Sequence, residues 1–153
     1  MVISFAGHAM ISSADRIKET VKEQIQQHIC HHSVVTCYLG GYGDFDAICA
    51  CACRELKQEG VNLKRIYVTP YMSLSEQAKI KEMQRSDWYD GSLYPPIEKT
   101  PLKFAIAKRN EWMMTNADLI IAYVHHSYGG AYRSLQVAKR KKKKIVNIDD
   151  FLL

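Results

Sequence analysis

"DLIIAYVHHSYGGAYRSLQVAKRKKKKIVNI", residues 118–148, holds a whole supersecondary unit in one line. Asp118 to Val124 is an almost unbroken apolar run, as expected of a strand buried on both faces, and a second short run, Lys144 to Ile148, ends the stretch. Between them Gly129 and Gly130 punctuate the chain, and a helix is expected after them through Ala138. Two strands joined by one helix lie parallel, because the crossover carries the chain back to the edge where it started.

The alternation continues on the N-terminal side. "VISFAG", residues 2–7, reads as a buried strand, and "SSADRIKETVKEQIQQHI" as a helix with Ile17, Val21, Ile25 and Ile29 on one face. Then come a strand "SVVTCYLG", a helix from Asp46 to about Glu59, a strand "KRIYVTPY", a helix around "SLSEQAKIKEMQ" and another through "KFAIAKRNEWMM". The pattern predicts an α/β fold, Rossmann-like and doubly wound, with a mostly parallel sheet of about five strands and helices on both faces. One domain, 1–153, accounts for it. The only long stretch without a period is "RSDWYDGSLYPPIEKTP", where Trp88, Tyr89 and Tyr94 are expected to tuck under and hold the loop down.

Composition narrows the function. An apolar content of 47% suits a single packed core, and no run of 18 apolar residues marks a membrane span. "MVISFAGHAM" lacks the basic start and long apolar middle of a secretory signal, so a cytoplasmic protein is expected. Cys49, Cys51 and Cys53 fall on a predicted helix, where alternate positions point to different faces and cannot close on one ion; with Cys30 and Cys37 adding no ligand spacing, no metal is expected. Much of the +5 net charge sits in "KRKKKK", Lys139 to Lys144, which falls at a helix C-terminus where cations are favourable. Without interleaved aromatics, nucleic-acid contact through this run is not the favoured reading.

In open parallel sheets ligands bind beyond the carboxyl ends of the strands, where the strand order reverses. Three strand-to-helix turns reach that edge: "AGHAM", "LGGYGDFD" and "YVHHSYGGAY". Helix N-termini expose unpaired N–H groups, and glycine lets a phosphate approach them. Gly7, His8, Gly40, Gly41, Gly43, Ser127, Gly129, Gly130 and Ala131 are therefore candidates for holding an anionic group. The plainer reading of each glycine is a turn needing positive φ. Asp44 and Asp46 have the wrong sign for a phosphate; one suits a helix cap and the other a ribose or base. Alternation along an extended end puts His125 and His126 on opposite faces, so no more than one is expected in the crevice. Neither a GxGxxG fingerprint nor a P-loop lysine is present, and no cofactor is expected.

"FAGHAM", "LGGYGDFDAICA" and "KRNEWMMTNADLIIAYVHHSYGGAYRSLQVAKRKKKKIVNI" together resemble the SLOG superfamily, a Rossmann-like group that includes the Lonely Guy phosphoribohydrolases and the Smf DNA-processing proteins. The resemblance covers nearly the whole chain and is nearest to small bacterial members of unknown function. It implies a nucleotide-derived phosphorylated ligand at the carboxyl edge, a sensing or regulatory output, and a homo-oligomer. Arg109, Met113, Ala117, Asp118, Ile121 and Ala122 match the string that in the hydrolases leads into the catalytic turn; Asn110 stands at that string's lysine and Gln136 at the catalytic glutamate. The resemblance makes Arg109 the candidate catalytic or phosphate-binding residue. Gln136 cannot serve as a carboxylate, so cleavage of the N-glycosidic bond of a nucleoside monophosphate is the second reading and Smf-like nucleic-acid binding the third. A helix beginning at Pro101 would carry Arg109 roughly 12 Å from the binding edge.

Overall fold

The computed structural model describes residues 1–29 and 34–152. Cys30 and the expected start of the second strand at Ser33 lie outside the described residues. In chain order the elements are β1 (Val2–Gly7), α1 (Ala14–His28), β2 (Val35–Leu39), α2 (Gly43–Gln58), β3 (Leu63–Val68), α3 (Leu74–Arg85), β4 (Gly91–Leu93), α4 (Ala105–Thr115), β5 (Leu119–Tyr123), α5 (Gly129–Arg140) and β6 (Lys144–Asn147).

The strands form one sheet in the order β4-β3-β2-β1-β5-β6, and every neighbouring pair is parallel. The fold is thus the doubly wound α/β arrangement expected, with six strands rather than five. The extra strand, β4, pairs Ile66 with Gly91 and Val68 with Leu93 inside the stretch read as a loop. Three residues, Gly-Ser-Leu, are too few to carry a period, and their pairing comes from the neighbouring edge.

Alternation along the strands divides the core in two. Ile3, Phe5, Leu119 and Ile121 face α1 and α2, meeting Ile17, Val21, Ile25, Phe45, Cys49, Cys53 and Leu56. Ala6, Ile120 and Ala122 point the other way and meet Met113, Met114, Leu135 and Ala138 of α4 and α5. Each such buried aliphatic side chain contributes about 1.5–3 kcal/mol relative to exposure. Cys49 and Cys53 are ordinary core residues; burial pushes the Cys49 thiol well up, and a hydrogen bond with the Cys37 side chain, followed by burial, does the same for Cys53. Trp88 and Tyr89 hold the 85–100 segment down, Trp88 under the Arg54 guanidinium and Tyr89 against Tyr67.

Two helix starts differ from expectation, and both reposition the site. α2 begins at Gly43 instead of Asp46, placing Asp44 and Asp46 together in its first turn. α4 begins at Ala105, after a 3-10 turn Leu102–Phe104, so Arg109 lies only about 6 Å along the helix and not 12 Å. At the opposite edge of the sheet, Asp118 accepts the Val2 N–H at 2.7 Å, a structural role. Among the described residues no helix is long and apolar enough to cross a membrane.

Candidate functional site

β1 lies between β2 and β5, and the chain leaves β1 toward one face and β5 toward the other. Their carboxyl ends therefore part, and a cavity of 390 Å³ opens there. Its walls are Gly7 and His8 from the end of β1, Tyr42 and Asp46 at α2, Arg109 and Asn110 on α4, and His125, His126, Tyr128 and Gly129 to Ala131 leading into α5.

Arg109 forms the floor. It is completely buried, the opposite of a surface helix arginine. Nη1 donates to the carbonyls of Gly40 at 2.6 Å and Val68 at 2.7 Å, which close β2 and β3, and Nε donates to Asn110 Oδ1 at 2.9 Å. Nη2 is buried and, among the described residues, donates to nothing. Since guanidinium does not give up its proton in proteins, the protein carries a buried cation with both Nη2 donors unused. Asp46 acts on it through space without forming an ion pair.

Asp46 stands above this floor. Burial raises its carboxyl to about 6, opposed by the Tyr42 N–H, which donates to it at 2.8 Å, and by the Arg109 charge. Gly40 makes room for both groups: a Cβ there would lie 3.0 Å from Asp46 Oδ2 and 3.4 Å from Arg109 Cζ.

The neighbouring glycines serve the turn itself. Gly41 and Gly43 have φ of +74° and +83°, and a Cβ would come within 2.4 Å of the Tyr67 ring at the first and 2.8 Å of Ala9 Cα at the second. Gly40, Gly41 and Gly43 stand outside the cavity lining, as do Asp44, whose carboxylate accepts the Ile11 N–H at 2.9 Å, and Ser127, which is exposed. Gly7 lines the cavity and also lets α2 approach: a Cβ would sit 2.2 Å from Phe45 Cγ.

α5 starts at the cavity with no side-chain cap on its first turn, so its N-terminal N–H groups and the positive end of its dipole are free for an anion. Beside it, His8, His125 and His126 all line the cavity, contrary to the expectation that only one would. β5 ends at Tyr123, so strand alternation no longer governs residues 125 and 126.

The rings form a ladder. His8 stacks on His126 at 3.9 Å and 20°, and His126 on Tyr128 at 3.9 Å and 12°; the Tyr128 side chain is largely exposed. His8 Nε2 accepts the His125 backbone N–H at 2.9 Å, which puts its own proton on Nδ1, and burial followed by the His126 and His125 charges lowers its pKa. His126 Nδ1 bonds the Tyr128 carbonyl at 3.0 Å, leaving Nε2 as an acceptor.

The trio's candidate ligand atoms lie within 4.8 Å of one another. With His8 Nε2 occupied and Nδ1 protonated, the arrangement suits hydrogen bonding to an organic ligand better than a three-histidine metal centre.

The sequence had marked His8, Asp46, Arg109 and the α5 glycines. Tyr42 carries no such signal, and Asn110 stands out only as the residue at the lysine of the hydrolase string. Gln136, at the position of the hydrolase glutamate, does not line this cavity; it faces a groove between α4 and α5.

No protein-family model and no curated protein matches the sequence. Solved structures do. DNA processing protein A from Helicobacter pylori, described for its single-stranded DNA binding mode, superposes with a TM-score of 0.62 at 14% identity over 95% of this chain and 63% of that one. DNA processing protein A from Streptococcus pneumoniae gives 0.63 at 17% identity over 94% and 48%. The molybdenum cofactor carrier protein of Chlamydomonas reinhardtii gives 0.56 at 13% over 95% and 75%. The chain spans about half to two thirds of the DNA-processing proteins, and at these identities the likeness establishes a shared Rossmann-like fold of the type expected from the motifs.

Proposed function

We propose that this protein binds a nucleotide or a nucleotide-derived phosphorylated ligand at the carboxyl edge of its sheet, with a sensing or regulatory output. The observation that carries the reading is the buried, unpartnered Arg109 Nη2 on the same cavity as the uncapped N-terminus of α5. A phosphoryl group between them would supply the missing acceptor and the missing anion together. Tyr128 and Tyr42, both exposed at the rim, offer ring faces to a base, and Asp46 and His8 offer hydrogen-bond partners to a ribose. A volume of 390 Å³ lies within the range of small-molecule sites.

The test is a thermal-shift panel of nucleoside monophosphates. A ligand at a hundred times its Kd stabilises by about 2.7 kcal/mol, roughly 5–10 °C for a domain of this size. A panel in which no nucleotide moves the transition would overturn the reading.

Two substitutions refine it. Gly130→Ala meets no atom within 4 Å and does not need positive φ, so packing within the protein does not require glycine there. The variant is expected to keep or gain about 0.5 kcal/mol of stability, yet to bind the ligand roughly tenfold more weakly because the methyl stands beside the first α5 amides. Tyr128→Ala is expected to weaken binding about fivefold, or 1 kcal/mol, by calorimetric titration.

A second reading, hydrolysis of the N-glycosidic bond, is favoured by one feature: a carboxyl raised to about 6 on the cavity that holds Arg109, so that Asp46 replaces the absent glutamate as the proton-handling group. Chromatographic detection of free base after incubation with nucleoside monophosphates distinguishes it from binding alone. The third reading, nucleic-acid binding in the manner of the single-stranded DNA mode described for the Helicobacter protein, predicts affinity that falls steeply with salt.

A further inference from the structure

The cavity does not end at α5. Ile106, Asn110, Gly130 and Ser134 line it on one side and, on the other, a groove of 520 Å³ between α4 and α5. This groove is basic: Lys103, Arg133 and Arg140 border it against one carboxylate, Glu111, which Lys108 engages at 3.6 Å. Arg133 and Arg140 are exposed, and neither forms an ion pair among the described residues. They lie two turns apart and so share one face of α5; Arg133 is about 4.5 Å along the axis from Gly130.

Resting on the phosphate reading above, we infer that the groove is a second anionic subsite, and that the ligand carries at least two phosphoryl groups. The first sits at Arg109 and the start of α5, and the second, one helical turn on, at Arg133 with Arg140 and Lys103 behind it. On the α4 side of the groove Ile106 and Ala107 are neutral and the one carboxylate, Glu111, is engaged by Lys108, while Gln136 is a neutral donor where a glutamate would oppose a second phosphate. Both a pyrophosphate chain and the next phosphate of an oligonucleotide end supply this chemistry.

Calorimetric titration of the full chain tests it with AMP, ADP and the 5′-phosphorylated dinucleotide pApA, and with inorganic phosphate and pyrophosphate as probes that do not depend on the base. Doubly phosphorylated probes are expected to bind about tenfold or more tightly than their single-phosphate counterparts at low salt. The Arg133→Gln, Arg140→Gln double variant, altering two exposed side chains, should erase that advantage while leaving AMP and phosphate unchanged; Arg109→Gln should weaken every probe. ADP exceeding pApA identifies a pyrophosphate chain, and the reverse identifies an oligonucleotide end. Equal affinities for one and two phosphates, or an advantage that survives the double variant, overturn the subsite while Arg109-dependent AMP binding leaves the phosphate reading standing. Absence of any Arg109-dependent binding overturns both.

Discussion

Arg109→Ala should lower the free energy of unfolding by about 2–4 kcal/mol and abolish any nucleotide-induced thermal shift. Two effects oppose each other. Deleting a buried cation that has no close counter-ion relieves a desolvation cost, which by itself would stabilise the protein. Against this, the carbonyls of Gly40 and Val68 lose donors at 2.6 and 2.7 Å in a site where the arginine is wholly buried, and each buried carbonyl left unpaired costs about 1–3 kcal/mol. The guanidinium also ties the ends of β2 and β3 to α4, and its removal leaves a void on the cavity floor. The loss outweighs the relief. Urea denaturation measures the stability term, and a thermal scan should show a drop of roughly 10 °C. Arg109→Lys separates the roles: it keeps the charge but lacks the planar fork that serves two carbonyls and leaves further donors to spare. A variant as stable as the parent and equally responsive to nucleotides would remove Arg109 from the site.

What could be read from the sequence depended on whether the signal was local. β1 and β5 were legible because strands buried on both faces are continuous apolar runs, "VISFA" and "LIIAY". β4 was not, since its three residues are a strand only by pairing with β3. The start of α4 was misplaced because Pro101 suits a first helical position, yet here the chain makes a 3-10 turn before α4 begins at Ala105. That small shift brings Arg109 from about 12 Å to about 6 Å along the helix, within reach of the cavity floor.

Glycine was the least decisive letter. At Gly41 and Gly43 the requirement is φ and close packing, at Gly40 it is space for Asp46 and Arg109, and at Gly130 nothing in the protein demands it. The same residue type stands in three different situations, one of them unconstrained by the fold, that only coordinates separate. Tyr42 and Asn110 are in the site because of where α2 and α4 begin, which no motif encodes. The convergence of His8 with His125 and His126 depends on β5 stopping at Tyr123, a boundary of the kind sequence patterns place least well.

Asp46→Asn should make the protein more stable at pH 8, by about 1–3 kcal/mol, and should lose that advantage in acid. The folded carboxyl titrates at about 6, above the ordinary 3.8 it regains on unfolding, with burial as the main cause. The folded state therefore binds its proton more tightly than the unfolded state does. Stability from this group is fully present below about pH 4 and is lost as the pH rises through 6, so at pH 8 the native protein carries a strained carboxylate. A shift of this size corresponds to about 3 kcal/mol at most, and water at the mouth of the cavity reduces it. Asparagine keeps an oxygen to accept the Tyr42 N–H and occupies nearly the same volume, so little else changes. His8 works in the opposite sense: its lowered pKa means stability is lost as acid protonates it, which would mask the Asp46 effect in the parent alone. Comparing parent and variant by urea denaturation from pH 4 to 8 cancels that contribution, and the gap between them should widen toward alkaline pH. A gap that is flat with pH, or a variant weaker than the parent at pH 8, would mean that Asp46 is a satisfied structural carboxylate. A widening gap would mean that the chain sustains a charged carboxylate beside Arg109 at the expense of its own stability, the trade expected where a side chain is held for a ligand and not for the fold.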